Sequence, residues 1–391
     1  MRNKSVIFLV LVLFVLVNLA AKQKVKRSKE KKFVINAAIF YPLSTNRSKN
    51  QYTNINFSLL YGHVGVVEGF DLAIISSRVR RDVRGVQMTG LAGVVGDSLY
   101  GVQASGLCNI VAGELRGVQA AGICNVAGDQ LMGIQASGIF NIVGDRISGI
   151  QASGIFNIVG ERLRGIQTSG IFNIVGETLI GVQSSGIFNI TGEQLKGVQS
   201  AGIFNVIGEE LRGFQAAGIF NVVGGNNMGL QISTINVSGE LSGVQCGLVN
   251  VTGRAEGVQI GIVNYTKEEM TGIPIGVVNI ARNSRLRFVG WGSNIMAANM
   301  GIKFKIRNLY SILYFGALNL EKNINSSLSI GFQYGVHIPL DKKFFLDCDL
   351  GGLYIDNKTF FWFHKGDRDH FGLKARAMLG IEFSRRFSLF A

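Results

Sequence analysis

Hydrophobic and polar positions recur along most of this chain with a long fixed period. The triplet Gly-Val-Gln, or its Ile and Phe variants, begins at Gly85, Gly101, Gly117, Gly133, Gly149, Gly165, Gly181, Gly197 and Gly213, always 16 residues apart. The fullest copy reads Gly149-Ile-Gln-Ala-Ser-Gly-Ile-Phe-Asn-Ile-Val-Gly-Glu-Arg-Leu-Arg164. A degenerate copy starts at Gly69; beyond Gly229 the copies shorten to 14 residues at Gly243 and Gly257, and a partial one follows from Gly272. Units rich in Gly, Val, Ile and Phe, and far below the roughly 30 residues of a helix-pair repeat, do not form helices. Apolar residues fill both halves of the unit, with Gly154 and Gly160 after each run. This predicts two short strands and two turns.

The change of period adds geometry. Gln151 to Asn157 is six steps and Gln245 to Asn250 five, while Asn157 to Gly165 is eight and Asn250 to Gly257 seven. Both sides of the unit shorten together, as rungs of a coil must if they are to keep stacking. The expected fold is therefore all-β: a repeat β-solenoid of 16- and 14-residue coils whose strands pair in parallel at ~4.8 Å. The competing arrangement, one antiparallel hairpin per unit in a large barrel, gives strands of about six residues against the ~9 to 11 of a membrane strand. In the solenoid, the Asn109-to-Asn221 and Gln103-to-Gln215 series stack as amide ladders, and Phe140 to Phe220 as an aromatic row. Polar variation sits at Glu161-Arg162, Glu177-Thr178, Glu193-Gln194 and Glu209-Glu210, the solvated edge.

After Asn279 the pattern becomes strict alternation. Leu328, Ile330, Phe332, Tyr334, Val336 and Ile338 are every second residue, as are Leu346, Cys348 and Leu350 against Asp347 and Asp349, and Leu373 to Phe383 against Lys374, Arg376 and Glu382. These are antiparallel strands with one greasy and one polar face. Met300 to Ile306, Leu309 to Leu320 and one near Phe360 bring the number to about six, and Phe33 to Phe40 and Tyr52 to Tyr61 add two before the array. Two roles fit: a small outer-membrane barrel ending in Phe387-Ser-Leu-Phe390-Ala391, or a sheet that caps the solenoid's open end.

Composition refines the picture. The 391 residues include 52 Gly and 3 Pro, are 47% hydrophobic and carry a net charge of +14, which excludes a disordered or collagen-like chain. Seven basic residues lie between Lys22 and Lys32, whereas Gly85 to Met228 has six Lys/Arg against nine Asp/Glu. The charge is thus a tail and not the aromatic-interleaved basic face of a nucleic-acid binder. It follows a positive start, Met1 to Lys4, an apolar run from Val6 to Leu19 and Ala20-Ala21. That is the form of a secretory signal peptide, too short to span as a helix, although the basic run after it also suits an uncleaved anchor. The organisation read is a signal peptide at 1–21, a basic linker at 22–32, N-terminal strands at 33–68, the repeat array at 69–282 and an antiparallel β module at 283–391.

The units Gly243-Val-Gln-Cys-Gly-Leu-Val-Asn250, Gly257-Val-Gln-Ile-Gly-Ile-Val-Asn264 and Gly272-Ile-Pro-Ile-Gly-Val-Val-Asn279 resemble the surface-repeat proteins of spirochaete and Bacteroidetes envelopes, over roughly residues 52 to 320. The resemblance implies an exported bacterial envelope protein without catalysis. Some relatives are lipoproteins; here the residue directly after Ala21 is Lys22 and the first cysteine is Cys108.

Candidate chemistry is sparse. His364, Asp367, Asp369 and His370 lie together in a charged turn and make a weak metal motif, so no metal, cofactor or catalytic residue is assigned. Cys108 and Cys124 take the place of Phe one rung apart, where stacking permits a disulfide. No Lys-Ser/Thr follows the repeated glycines, so they are no phosphate loop. The expectation is a non-enzymatic, exported protein of the outer membrane or cell surface with a structural or interaction role and an unidentified surface or host protein partner. The alternative is an outer-membrane β-barrel for pores or transport. A β-helical enzyme of the pectate-lyase kind would need charged residues clustered in a groove, and the repeats show none.

Overall fold

The computed structural model describes residues 32–45, 48–293, 296–319, 328–341, 343–356, 370–382 and 388–390. The signal-peptide segment, residues 22–31 of the basic linker and the strand expected near Phe360 lie outside them. The described residues form a parallel β-solenoid of about 15 turns and an antiparallel sheet, with no helix. The chain divides into two compact units, Met1–Gly213 and Phe214–Ala391.

In the first unit each coil contributes a long and a short strand, such as Arg162–Ser169 and Phe172–Val175. Each pairs in parallel with its copy 16 residues before and after, so identical positions stack. Leu163, Gln167, Asn173 and Val175 point inward and are at most 1% exposed. The core of a coil is therefore half apolar and half amide. One detail differs from the two-strand expectation: the segment before the Gly-Ile-Gln triplet joins the strand after it. The kink falls at Gly165, with φ 135°, where a Cβ would lie 2.0 Å from the Gly149 carbonyl oxygen. Only glycine takes that backbone at such close approach.

The stacked amides form two ladders that run in opposite directions. Each Gln donates from Nε2 to Oε1 of the Gln one coil earlier, from Gln103 onto Gln87 through Gln199 onto Gln183, at 2.6–2.8 Å. Each Asn donates from Nδ2 to Oδ1 of the Asn one coil later, from Asn109 onto Asn125 through Asn189 onto Asn205, at 2.9–3.1 Å. The second Asn N–H reaches a carbonyl near the end of the next long strand 11 residues on, Thr168 for Asn157, at 2.6 Å. A buried amide satisfied on both sides avoids the roughly 1–3 kcal/mol of an orphaned group. Phe140, Phe156, Phe172, Phe188 and Phe204 stack at 4.9–5.1 Å with rings within 3° of parallel. Cys108 and Cys124 pair in register and are disulfide-bonded.

The N-terminal strands are coils too. Lys32–Phe40 pairs in parallel with Tyr52–Val64, which pairs in parallel with Val66–Ala73. Their inward positions are Asn36, Asn56 and Asp71. Asn36 donates to Asn56 at 2.7 Å and Asn56 to Asp71 Oδ1 at 2.6 Å, while Gln87 and Ser77 each donate to Asp71 Oδ2 at 2.7 Å. Donors arrive at Asp71 from both directions along the stack. Only an acceptor on all sides fits there, which a carboxylate is and an amide is not. Burial pushes this carboxyl up from its ordinary value, and the three donors oppose that shift.

In the second unit the period shortens and the stack survives. Phe214 pairs with Leu230 sixteen residues on, then Leu230 with Val244 and Val244 with Val258 at fourteen. The strand now runs straight through Ile235–Leu241, and the corner moves to Ser242 and Gly243. Both ladders keep their direction, Gln259 donating to Gln245 at 2.9 Å and Asn250 to Asn264 at 2.9 Å.

The antiparallel sheet follows in the same unit. Its order is sequential: Arg285–Trp291, Met296–Ile306, Leu309–Asn319, Leu328–Pro339, Phe344–Asp356, His370–Glu382 and Ser388–Phe390. It closes the array's last rung. Asn279 donates to Ser311 Oγ at 3.1 Å, Ser311 Oγ donates to the Val277 carbonyl at 2.9 Å, and the Tyr334 hydroxyl donates to the Pro274 carbonyl at 2.8 Å. Pro274 stands where the next Gln would be and ends that ladder. Ile306 completes the apolar row of Leu241, Ala255, Met270 and Ala281.

Candidate functional site: the polar interior of the antiparallel sheet

Strand alternation sorts this sheet into two faces: the enclosed one carries the polar side chains together with Ile312, Phe345, Leu353 and Met378, and the outer one is greasy. Asn299, Lys303, Ser329, Gln333, His337, Asp347 and Asp349 are 0–7% exposed, while Phe288, Met300, Phe315, Leu350, Phe371 and Leu373 are 62–89% exposed. A soluble sheet packs its greasy face inward; here the order is reversed.

The sheet encloses this polar face by curling. Strands spaced ~4.8 Å apart in a flat sheet would hold Arg285–Trp291 and His370–Glu382, five places apart, on the order of 24 Å from each other. The Arg376 guanidinium nevertheless lies 4.7 Å over the Trp291 ring. Glycines make room for the enclosed rings. A Cβ on Gly331 would fall 2.3 Å from the Tyr314 hydroxyl, and one on Gly335 2.7 Å from the Tyr310 ring. The aromatic ring of one strand thus covers the bare backbone of its neighbour.

Charges inside are paired. Asp349 accepts from Arg376 Nε at 2.9 Å and Nη2 at 2.8 Å, and from the Tyr310 hydroxyl at 2.9 Å. Asp347 is shared by Lys303 Nζ and by His337 Nδ1, the latter at 2.6 Å. Lys303 Nζ also stands 3.7 Å over the Tyr310 ring. The bidentate Arg–carboxylate pair is the strong form of such a contact. Beside this network Gln333 Nε2 and Oε1, the Tyr314 hydroxyl, Ser329 Oγ and Trp291 Nε1 find no hydrogen-bond partner among the described residues. Such a surface is suited to ordered water.

Asp347 and Asp349 direct their oxygens to Lys303, His337, Arg376 and Tyr310. Asp347, Asp349 and Arg376 belong to the polar alternation read from sequence, but Lys303, His337 and Tyr310 do not stand out there, since their partners are distant in sequence. Of the weak metal motif, His364, Asp367 and Asp369 lie outside the described residues, and among the described residues no three His, Cys, Asp or Glu side chains come together as a metal site. Cys246 and Cys348 are free.

No family model, curated protein or solved structure matches this chain.

Proposed function

We propose that this chain is a non-catalytic, exported envelope protein whose antiparallel sheet sits in a membrane as a curled β module and anchors the repeat array. The observation that carries the reading is the reversed sheet: Phe288, Phe371 and Leu373 are 83–89% exposed while Lys303, Asp347 and Asp349 are at most 7% exposed. Each large apolar side chain left in water forfeits ~1.5–3 kcal/mol of burial, and lipid removes that penalty for all of them. Strands of 11 to 13 residues match a tilted membrane crossing. Tyr310, Tyr314 and the two ion-paired clusters fill the interior, which favours an anchor over an open pore. The array's role is structural or interactive, with coils presenting the same side chains at each rung to a surface partner.

Fractionation of cells expressing the full chain, with an alkaline carbonate wash and surface proteolysis of intact cells, tests this. The protein is expected in the washed membrane pellet with its repeats clipped from outside. Recovery in the soluble fraction would overturn membrane anchoring and leave the sheet as a cap alone.

A further inference from the structure

The sheet's greasy face does not stop where the solenoid begins. In the second unit the outer side chains of the coils divide by character. Leu248 and Ile262 are each 52% exposed and Ile232, Ile260 and Ile275 are 38–42% exposed along one flank. Glu240, Arg254, Glu256 and Glu268 are exposed along the other, where Arg254 pairs with Glu268 at 3.6 Å. The apolar flank meets the sheet's outer face in a groove of about 700 Å³ whose walls include Cys246, Leu248, Ile260 and Ile262 from the coils and Phe332 and Tyr334 from the sheet. One apolar surface therefore runs from the sheet onto the coils.

We infer that these coils lie against the lipid bilayer along this flank, with the charged flank turned to water. Two observations select lipid as the occupant. The patch is continuous with the surface assigned to the membrane. On the coil side of the groove it consists of repeated aliphatic rows, Leu248 with Ile262 and Ile232 with Ile260 and Ile275, in place of the Trp, Tyr and Arg anchors that mark a protein interface. The first unit has aliphatic rows of its own, with Ile134, Ile150 and Ile166 at 39–44% and Ile171, Ile187 and Ile203 at 36–38% exposed. The inference rests on the membrane reading of the sheet and adds that the second unit's coils are held along the bilayer, not projected from it.

Site-directed nitroxides in the full chain, reconstituted into phosphatidylethanolamine–phosphatidylglycerol vesicles, separate the two claims. In a Cys246→Ala, Cys348→Ala background, Leu248→Cys and Ile262→Cys report the apolar flank, Arg254→Cys and Glu256→Cys the charged flank, and Phe371→Cys and Leu373→Cys the sheet. Relaxation by oxygen is expected to exceed relaxation by a water-soluble nickel chelate several-fold at 248, 262, 371 and 373, and the order to reverse at 254 and 256. Lipid contact at 371 and 373 with water contact at 248 and 262 overturns this inference alone, while water contact at all four overturns the anchoring as well. Dipolar broadening at 248 that vanishes on dilution with unlabelled chain would show a second copy on this flank and likewise refute lipid contact. All the labelled side chains lie on outer surfaces, and retention of the wild-type circular dichroism spectrum confirms folding.

Discussion

The solenoid and the antiparallel sheet both enclose rows of polar side chains, yet the chemistry of those rows differs. The coils bury Gln and Asn, and the sheet buries Lys, Arg, Asp and His. Register explains the difference. In a parallel in-register stack every residue lies over its own copy at ~4.8 Å, so a charge would be stacked on itself, whereas an amide carries both donor and acceptor and complements its copy. In an antiparallel sheet unlike residues oppose each other, as Asp349 opposes Arg376, and ion pairs can form. Asp71 fits the same rule: its rung neighbours are Asn56 and Gln87, not another carboxylate.

The comparison can be broken from the sheet side with the largest effect. Arg376→Met strands Asp349 inside the sheet and is expected to destabilise by about 3–5 kcal/mol, read as the urea midpoint of the full chain in detergent micelles. Adding Asp349→Leu should recover most of that loss, since the penalty lies in the unpaired charge. Within the ladders, Asp71→Asn forces one amide N–H against the donors Gln87, Asn56 or Ser77 and is expected to cost about 1–3 kcal/mol. The same unfolding curves measure it, and no loss would contradict the converging-donor account.

A smaller effect follows from pH at the first coils. Burial, helped by Arg78, Lys49 and Arg80, lowers the His63 pKa from 6.5 to about 4. The unfolded chain then takes up the proton first, so the neutral folded imidazole's contribution is complete above pH 6.5 and is lost as pH falls toward about 4. His63→Gln should flatten that part of the stability–pH profile; an unchanged slope would contradict it. Smallest of all, Arg146→Ala removes an exposed pair with Glu161 at 3.1 Å and should change stability by at most about 1 kcal/mol.

Much of the solenoid was legible because its period carries its register: a 16-residue recurrence of Gln and Asn dictates stacked amides, and Cys108 and Cys124 fall into one column. The N-terminal strands were less legible as coils, because Asn36, Asn56 and Asp71 fill the ladder positions without the Gly-Val-Gln frame around them. The corner at Gly165 was hidden as well, since a glycine between two apolar runs does not reveal whether it ends a strand or kinks one. For the sheet, alternation identified both faces but could not orient them, because period 2 is the same whichever face is enclosed. Cross-sheet contacts such as Lys303 with Asp347, 44 residues apart, supply that orientation.

The rule that in-register stacking admits neutral amides and rejects charge is tested most directly by comparing Asn157→Asp with Asn157→Ala in the full chain from neutral to acidic pH. The Asp variant keeps an oxygen to accept from Asn141 Nδ2 but sets a second oxygen against Asn173 Oδ1, where the Ala variant has neither bond, and only the Asp variant adds a charge. At neutral pH the Asp variant should be the less stable by several kcal/mol, and it should regain stability as its raised-pKa carboxyl protonates in acid while the Ala variant does not. Equal stability of the two at neutral pH, with no differential recovery in acid, would contradict the account.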